Sequence, residues 1–246
     1  MTGNSISNPV VELLKSHRSV RAYEDRPVPE EICQAILEAA FAASSSCFMQ
    51  VTSVIRVKDP VKREKLSVLA GHQKHVALAP EFWVFVADYH RNTKLAPDFD
   101  LGWSEQLLVG CTDTAIVAQN AFVAMESFGL GGLYVGGLRN GIAEVAELLE
   151  LPEHTLPLFG FAFGWPAEDN EQKPRLPMPM KVFVDKYEEV KKEDLAAYDR
   201  ALGDYFAHRR SHPKQSSFTQ EVSAIMKRER RPFVDAWLKK FGWLKG

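Results

Sequence analysis

The sequence predicts an α+β or α/β fold in which helices flank a central sheet. Along its 246 residues, apolar side chains at helical spacing alternate with short apolar runs of strand length. A composition of 46% hydrophobic and 25% charged residues is ordinary for a globular chain and excludes disorder over most of its length. Because no repeat, low-complexity tract or linker interrupts the pattern, we expect a single domain over residues 1–246.

Helix and strand signals follow one another in the first part of the chain. Pro29 suits the first turn of a helix, and apolar residues recur at spacings of three, four and seven over residues 29–43. Asp59 and Pro60 are an N-cap and first-turn signal for a helix that ends near residue 70. The predicted strands on either side of that helix are residues 53–58 and 82–88.

Residues 104–128 form the longest predicted helix. It is apolar on most of its circumference, and Gly129 supplies a C-cap. Polar residues such as Asp113 and Asn120 within it are costly in lipid, so a helix buried in protein is favoured over a membrane span. Such a helix needs cover on nearly every side, and a subunit partner is one way to supply it.

The rest of the chain continues the alternation. The predicted elements are strands at 131–136, 156–164 and 182–184 and helices at 141–149, 193–208 and 218–241. Pro152 ends the first of these helices. Residues 209–217 are polar and basic and contain Pro213, which predicts a mobile surface loop between the last two helices.

Charge and cysteine content narrow the class of protein. The chain has 30 Lys and Arg against 32 Asp and Glu, whereas a nucleic-acid or anionic-membrane binder needs a clear basic excess. Three cysteines without a C-x-x-C pair fit neither a disulfide framework nor a cysteine zinc site. Residues 1–15 lack a secretory signal, so reduced thiols in a cytoplasmic protein are the simplest interpretation.

Three groups of cations are candidate phosphate ligands. In an extended chain, His17, Ser19 and Arg21 share one face and Arg18 lies on the other. Lys173-Pro174-Arg175 is a second group, and we expect it to be extended, since proline disfavours helix in the residue before it. The third group suits the 2′-phosphate of NADPH and comprises Arg209, Arg210, Lys214, Arg228, Arg230 and Arg231. For each group the alternative is a solvated basic surface.

The glycine-rich run 129–138 is not a dinucleotide fingerprint, because Tyr134 stands where the third glycine is needed. Gly136 and Gly137 at a strand end either let a flat ring approach backbone N–H groups or simply form a turn. The serine run 44–46 either satisfies carbonyls at a helix end or lines a polar ligand. No local feature marks Cys47 as an activated nucleophile, and the histidines match no metal-ligand spacing.

Taken together, these segments resemble the nitroreductase superfamily, in its branch of oxygen-insensitive NADPH nitroreductases and NADPH:flavin oxidoreductases. The resemblance runs from about Val11 to the C-terminus. It is carried by HRSVR (17–21), SSS (44–46) with Gln50, GHQKHV (71–76), GLGGLYVGGLRN (129–140), LPLFG and GWP (156–166), KPRLP (173–177) and RPF (231–233). The order and spacing of these motifs are specific, whereas each motif alone is weak.

The resemblance implies an α+β, nitroreductase-like fold with a central mixed sheet flanked by helices. It implies a domain-entwined homodimer with a long buried central helix and two FMN sites at the subunit interface. The residues that match flavin contacts are His17, Arg18, Ser19, Arg21, Ser45, Gln73, Tyr134, Gly136, Gly137, Lys173 and Arg175. Arg209, Lys214 and Arg231 match positions linked to the phosphate of NADPH.

The implied activity is FMN-dependent and NADPH-preferring. Nitroaromatics, quinones and similar small molecules receive electrons by two-electron, ping-pong hydride transfer, and no catalytic acid, base or metal is implied because FMN carries the redox step. One alternative makes free flavin the natural acceptor, so that the protein supplies reduced FMN. An alternative of another class is a non-catalytic flavin-binding regulator.

Two positions depart from the family pattern. Cys47 stands where the family's serine run often has a fourth serine, and Lys214 stands where close relatives carry arginine. Lysine still binds phosphate but cannot form the bidentate contact of arginine.

Overall fold

The structure is a computed structural model that describes residues 8–96, 98–227 and 229–245. The chain divides into two compact units. The first comprises Met1–Glu168 together with Arg231–Gly246, and the second is Asp169–Arg230. The predicted assignment of residues 1–246 to one FMN-binding domain stays a prediction.

An antiparallel sheet of four strands forms the centre of the first unit. The strands are β1 (Thr52–Arg56), β2 (Glu81–Asp88), β3 (Gly131–Val135) and β4 (Thr155–Gly164), in the order β1-β2-β4-β3. All neighbouring strands pair antiparallel. The parallel component expected of a mixed sheet is represented, in the described ranges, by an isolated bridge between Ser19 and Gly132.

Helices cover both faces of this sheet. In chain order they are α1 (Pro9–Lys15), α2 (Glu30–Phe41), α3 (Pro60–Leu69), α4 (Lys74–Leu78), α5 (His90–Leu95), α6 (Ser104–Ser127), α7 (Ile142–Leu148) and, near the C-terminus, α10 (Phe233–Lys240). Since alternate residues of a strand point to opposite faces, Trp83 and Phe85 pack with α2 and α6. Phe82 and Val84 pack on the opposite face with α3, α4 and α7.

The helix caps follow the predicted signals closely. Oδ1 of Asp59 accepts hydrogen bonds from the backbone N–H groups of Val61 and Lys62 at 2.8 and 3.3 Å, which begins α3. Gly129 follows α6 with φ of +78°, a left-handed conformation that glycine adopts without steric cost. Both helices were predicted to within about two residues of these bounds.

α6 is buried on one face and exposed on the other. Asp113, Val117 and Phe122 lie on the buried face against α2 and the sheet, whereas Leu108 is 61% and Ile116 is 39% exposed. With a mean hydropathy of 1.4 over its most apolar window, α6 is long and apolar enough to cross a membrane. That is weak evidence, because the core helix of a soluble protein passes the same test.

The second unit contains α8 (Lys192–His208) and α9 (Phe218–Met226), separated by the irregular residues 209–217. Its core consists of Tyr198, Leu202 and Phe206 on α8, against which Phe218 and other apolar side chains pack. The Oγ atom of Ser217 caps α9, and the side chain of Gln220 returns a bond to the backbone of Ser217. The position of the loop between two helices is as predicted.

Two predicted elements are wrong. Residues 182–184 belong to no sheet in the described part of the chain, because Val182 and Val184 are exposed and pair with no strand there. The single helix predicted over residues 218–241 is two helices, α9 and α10. Pro232 disfavours the helical conformation in the residue before it, and Arg231 has φ of +61°. Arg228, which lies in this interval, is outside the described residues.

Candidate functional site

The N-terminal segment of the predicted site lies along strand β3. The backbone N–H of Val20 donates to the carbonyl oxygen of Gly132 at 3.0 Å, next to the bridge made by Ser19. Val20 is buried, and a Cβ on Gly131 would lie 2.5 Å from its Cγ2 atom. Glycine at 131 therefore allows residues 17–21 to approach the sheet edge closely.

His17 and Arg18 lie near the C-terminal end of α6. Nδ1 of His17 is 2.8 Å from Oε1 of Glu126, and its ring packs edge-on against Phe122 with centroids 5.0 Å apart. Arg18 and Glu126 both line a cleft of about 130 Å³ that also contains Gly131. The structure thus brings His17 and Arg18 together beside a carboxylate that the sequence analysis did not single out.

Arg21 is exposed and affects the charge of His75, a histidine in α4. Burial of the imidazole, together with the positive charge of Arg21, lowers the pKa of His75, so this histidine is neutral near pH 7. The Nε2 atom of His75 is buried and has no hydrogen-bond partner among the described residues. It is an orphaned polar atom on a histidine that senses the charge of Arg21, a predicted flavin contact.

The glycine turn packs directly against Gln73. A Cβ on Gly137 would lie 2.4 Å from the carbonyl oxygen of Ala70 and 2.4 Å from Nε2 of Gln73, so a larger residue does not fit there. A Cβ on Gly136 would have no protein atom nearer than 3.4 Å. Gly136 begins a 3₁₀ helix that no side chain caps, and the first N–H groups of a helix have no partner within it.

Arg231 contacts the same turn. Its Nε donates to Oδ1 of Asn140 at 2.8 Å, and its guanidinium also donates to the carbonyl oxygen of Gly136 at 3.4 Å. A residue predicted to bind NADPH therefore borders a turn predicted to contact the flavin. Asn140 is the last residue of the GLGGLYVGGLRN motif, but nothing in the sequence indicated that it would pair with Arg231.

Tyr134 is anchored to α6. Its hydroxyl donates to the carbonyl oxygen of Ala118 at 2.9 Å, and its ring packs against Phe122 and Phe159 with centroids 4.9 and 5.2 Å apart. Burial raises the pKa of Tyr134, with a smaller contribution from the charge of Glu126, so the phenol stays protonated. Tyr134 cannot act as a base near neutral pH.

The serine loop is held by a buried carboxylate that the sequence analysis mentioned only as an interruption of the apolar helix. Oγ of Ser45 donates to Oδ2 of Asp113 at 2.7 Å and accepts from the backbone N–H of Gln50 at 2.7 Å. The backbone N–H of Ser46 lies 3.1 Å from both oxygens of Asp113. None of these bonds is made to a helix carbonyl. Bonding to carbonyls at the end of a helix was the alternative role predicted for the serine run.

The backbone of this loop is unusual. Cys47, Phe48 and Gln50 have φ of +48°, +56° and +54°, in the left-handed region that non-glycine residues rarely adopt. Each such residue costs on the order of 1–3 kcal/mol and persists only where the surrounding structure holds it in place. Cys47 and Phe48 are exposed. The bonds made by Asp113 and Ser45 account for the stability of this conformation.

In the second unit, cations from two predicted groups surround one ring. The centroid of Phe206 lies 4.5 Å from Nζ of Lys214, 5.0 Å from Nζ of Lys173 and 5.4 Å from Cζ of Arg209. Burial and the charge of Lys214 lower the pKa of Lys173. The family resemblance implies an FMN contact for Lys173 and NADPH contacts for the other two cations, and the structure places all three at Phe206.

Arg175 and Pro174 lie beside Tyr198 of α8. The hydroxyl of Tyr198 donates to the carbonyl oxygen of Pro174 at 3.1 Å. Burial raises the pKa of Tyr198, and the charge of Arg175 opposes this shift. The K-P-R segment is therefore fixed to α8 by its backbone.

These features define a class of protein before any comparison. The first unit places cationic side chains and a glycine turn along β3, and the second unit gathers three cations around Phe206. Each of these features suits an anionic ligand. No group of three His, Cys, Asp or Glu side chains among the described residues is placed to hold a metal ion.

The comparisons with known proteins identify the family. The nitroreductase family profile matches residues 14–165, and the profile of the nitroreductase family C-terminal domain matches residues 173–246. The chain belongs to the nitroreductase family.

Relatives match over nearly the whole length. The chain is 47% identical to the oxygen-insensitive NADPH nitroreductase of Salmonella typhimurium strain LT2, over 96% of this chain and 98% of that protein. It is 42% identical to the NADPH-flavin oxidoreductase of Vibrio harveyi, over 97% and 99% of the two chains. The structure of the Vibrio harveyi NADPH:FMN oxidoreductase with NAD⁺ superposes with a TM-score of 0.91 at 40% identity, covering 97% and 100%.

Proposed function

We propose that this protein is an FMN-dependent NADPH oxidoreductase that reduces nitroaromatics, quinones and similar small molecules by two-electron steps. The observation that carries the proposal is full-length similarity to an NADPH nitroreductase and an NADPH-flavin oxidoreductase. Two further observations support it: Ser19 bridges β3, and Gln73 and Arg231 lie against the glycine turn that follows β3.

The residues present fit FMN. His17, Arg18, Ser19 and Arg21 are donors or cations along the edge of β3, and the turn at Gly136, which the Arg139 guanidinium borders, offers backbone N–H groups. When bound, FMN supplies the chemistry of hydride acceptance and transfer. We assign these proposed contacts to FMN, together with Ser45, Gln73, Tyr134, Gly136, Gly137, Lys173 and Arg175.

The protein's own residues bind and orient the reactants. Arg21 is an exposed cation placed to stabilise negative charge on a neighbouring ring. Arg209, Lys214 and Arg231 are assigned to the phosphate of NADPH, the co-substrate, because cations at fixed positions favour a dianion. The phenol of Tyr134 stays protonated and no acid or base is assigned.

We further propose a domain-entwined homodimer. Leu108 and Ile116 lie two turns apart on the exposed side of α6, and a second copy of the chain would remove this apolar surface from water. Residues 1–246 would then act as a single FMN-binding domain of a cytoplasmic enzyme, with small-molecule acceptors as partners and no role for nucleic acid or membrane.

A second candidate keeps the cofactor and makes free FMN the natural acceptor. It is favoured by the similarity to an NADPH-flavin oxidoreductase over 97% of the chain. The non-catalytic regulator of the sequence analysis predicts flavin binding without NADPH oxidation.

Steady-state NADPH oxidation by the FMN-loaded protein separates these candidates. A higher kcat/KM for a nitroaromatic or quinone than for free FMN supports the first proposal. A higher kcat/KM for free FMN supports the second, and no NADPH oxidation with any acceptor contradicts both.

A further inference from the structure

The second unit gathers positive charge around one buried ring. Lys173, Arg209 and Lys214 lie within 5.4 Å of the centroid of Phe206, which is 2% exposed. An aromatic face attracts cations, and the buried ring fixes the position at which the three side chains meet. Such a cluster favours a multiply charged oxyanion.

Glu221, in α9, places a carboxylate against this cluster. Its Oε1 atom lies 2.6 Å from Nζ of Lys214 and accepts a hydrogen bond from Oγ of Ser216 at 2.5 Å. The bonds from Lys214 and Ser216 lower the pKa of Glu221, so it is negatively charged near neutral pH. The Glu221 carboxylate therefore occupies two hydrogen-bond donors of the loop 209–217, Lys214 and Ser216. A phosphate oxygen could accept from the same two donors.

The ion pair is open to exchange. The side chains of Lys214 and Glu221 are 37% and 41% exposed, and an ion pair of this kind shifts an equilibrium constant by about fivefold or less. A phosphate monoester carries about −1.5 to −2 charge at pH 7 and three strong acceptor oxygens, so it can displace a carboxylate from lysine. A neutral ribose hydroxyl cannot.

We propose that Glu221 is a coenzyme-specificity residue that competes with the 2′-phosphate of NADPH for Lys214 and Ser216. The inference rests on the proposed function, in which Lys214 binds NADPH. Glu221 weakens the binding of NADPH and NADP⁺, which carry the 2′-phosphate, and leaves NADH, which lacks it, unaffected. It therefore lowers the selectivity for NADPH and speeds the release of NADP⁺.

The test is isothermal titration of the FMN-loaded protein with adenosine 2′,5′-bisphosphate, and with 5′-AMP as the ligand that lacks the 2′-phosphate. E221Q keeps the size of the side chain and removes its charge. We expect E221Q to bind the bisphosphate on the order of twofold to fivefold more tightly, with no change for 5′-AMP. Unchanged or weaker binding of the bisphosphate overturns the proposal.

E171Q is the matched control. Oε1 of Glu171 lies 3.4 Å from Nε of Arg210, so this variant removes the same charge from an ion pair of the same unit without touching the Phe206 cluster. We expect its affinity for the bisphosphate to equal that of the unmodified protein. An equal gain in E171Q and E221Q indicates an effect of net charge alone and contradicts competition at Lys214.

K214A separates failure of this proposal from failure of the proposed function. If K214A weakens bisphosphate binding and E221Q leaves it unchanged, Lys214 binds the phosphate and Glu221 does not compete for it. If K214A also leaves binding unchanged, the assignment of Lys214 to NADPH is itself wrong, and the competition falls with it.

Discussion

Ser45 and Asp113 form the contact that fixes the serine loop to the long helix α6. The Ser45 hydroxyl donates to a carboxylate that is 3% exposed and accepts from the backbone of Gln50, so one side chain ties two parts of the loop to the core. Ser45 is thereby a structural residue as well as a proposed flavin contact. The contact also explains why an aspartate is buried on α6.

We expect D113N to destabilise the fold by about 1–3 kcal/mol, because an amide cannot accept from both Ser45 and Ser46 with the strength of a carboxylate. Urea unfolding of the apoprotein measures this loss. D100N is the control, since Asp100 forms an exposed ion pair with Lys245. Its free energy of unfolding should change by less than about 1 kcal/mol. Equal unfolding midpoints for D113N and the unmodified protein would contradict the account of the loop.

Gly136 and Gly137 offer a matched pair of alanine variants. G137A places a Cβ 2.4 Å from Gln73 and the Ala70 carbonyl, so we expect it to lower both stability and FMN affinity. G136A meets no protein atom closer than 3.4 Å, and we expect its unfolding midpoint to stay near that of the unmodified protein. If flavin approaches the Gly136 backbone, the added methyl group of G136A lowers FMN affinity, measured by fluorescence titration, although stability is unchanged. Full FMN affinity in G136A would place the flavin elsewhere.

Arg231 is expected to act on the coenzyme that carries a 2′-phosphate. R231A should raise KM for NADPH on the order of tenfold and KM for NADH much less, because a charge-assisted contact is lost only with NADPH. Arg231 also donates to Gly136, so R231K tests whether charge at this position restores the NADPH preference. Equal effects of R231A on both coenzymes would contradict a phosphate contact and favour a role in holding the turn.

Lys173 and Arg175 are expected to retain FMN through its phosphate. K173A/R175A removes two charge-assisted contacts, worth about 1.5–3 kcal/mol each, so FMN should be lost on dialysis. The visible flavin band per protein measures retention. K192A, on an exposed lysine at the start of α8, is the control and should keep its flavin. Equal flavin content in the double variant and the control would remove both residues from the site.

The exposed side of α6 is expected to be a subunit interface. I116D introduces a charge at a position that is 39% exposed in the single chain and that a homodimer would bury. Light scattering should show a dimer for the unmodified protein and a monomer for I116D. K62Q is the control, because Lys62 of α3 forms an ion pair with Glu150 away from α6, and this variant should stay a dimer. A monomeric unmodified protein would contradict the proposed assembly.

The fold was largely predictable because local signals and burial agree. The Asp59-Pro60 cap, the apolar run of β2 and the glycine that ends α6 each determine an element with little help from distant residues. The strand predicted at residues 182–184 was wrong because an apolar triplet forms a strand only where a partner strand is available to pair with it. The helix predicted over residues 218–241 breaks at Arg231 and Pro232, because proline disfavours helix in the residue before it.

The site was less predictable. The motifs identified Ser45, Arg231 and Lys214 by type, but Asp113 and Glu221 act through contacts that join residues brought together by folding. A buried aspartate in an apolar helix was the signal available for the first. For Glu221 the sequence gives no signal that separates it from other acidic residues on exposed helix faces.

The most direct measurement of the central claim is anaerobic. Purified protein reconstituted with FMN is mixed with NADPH, and the visible flavin band is followed in a stopped-flow spectrometer. The account predicts rapid bleaching and full return of the band when a nitroaromatic or quinone is added. Bound flavin that NADPH does not bleach, or a protein that binds no flavin, would contradict it.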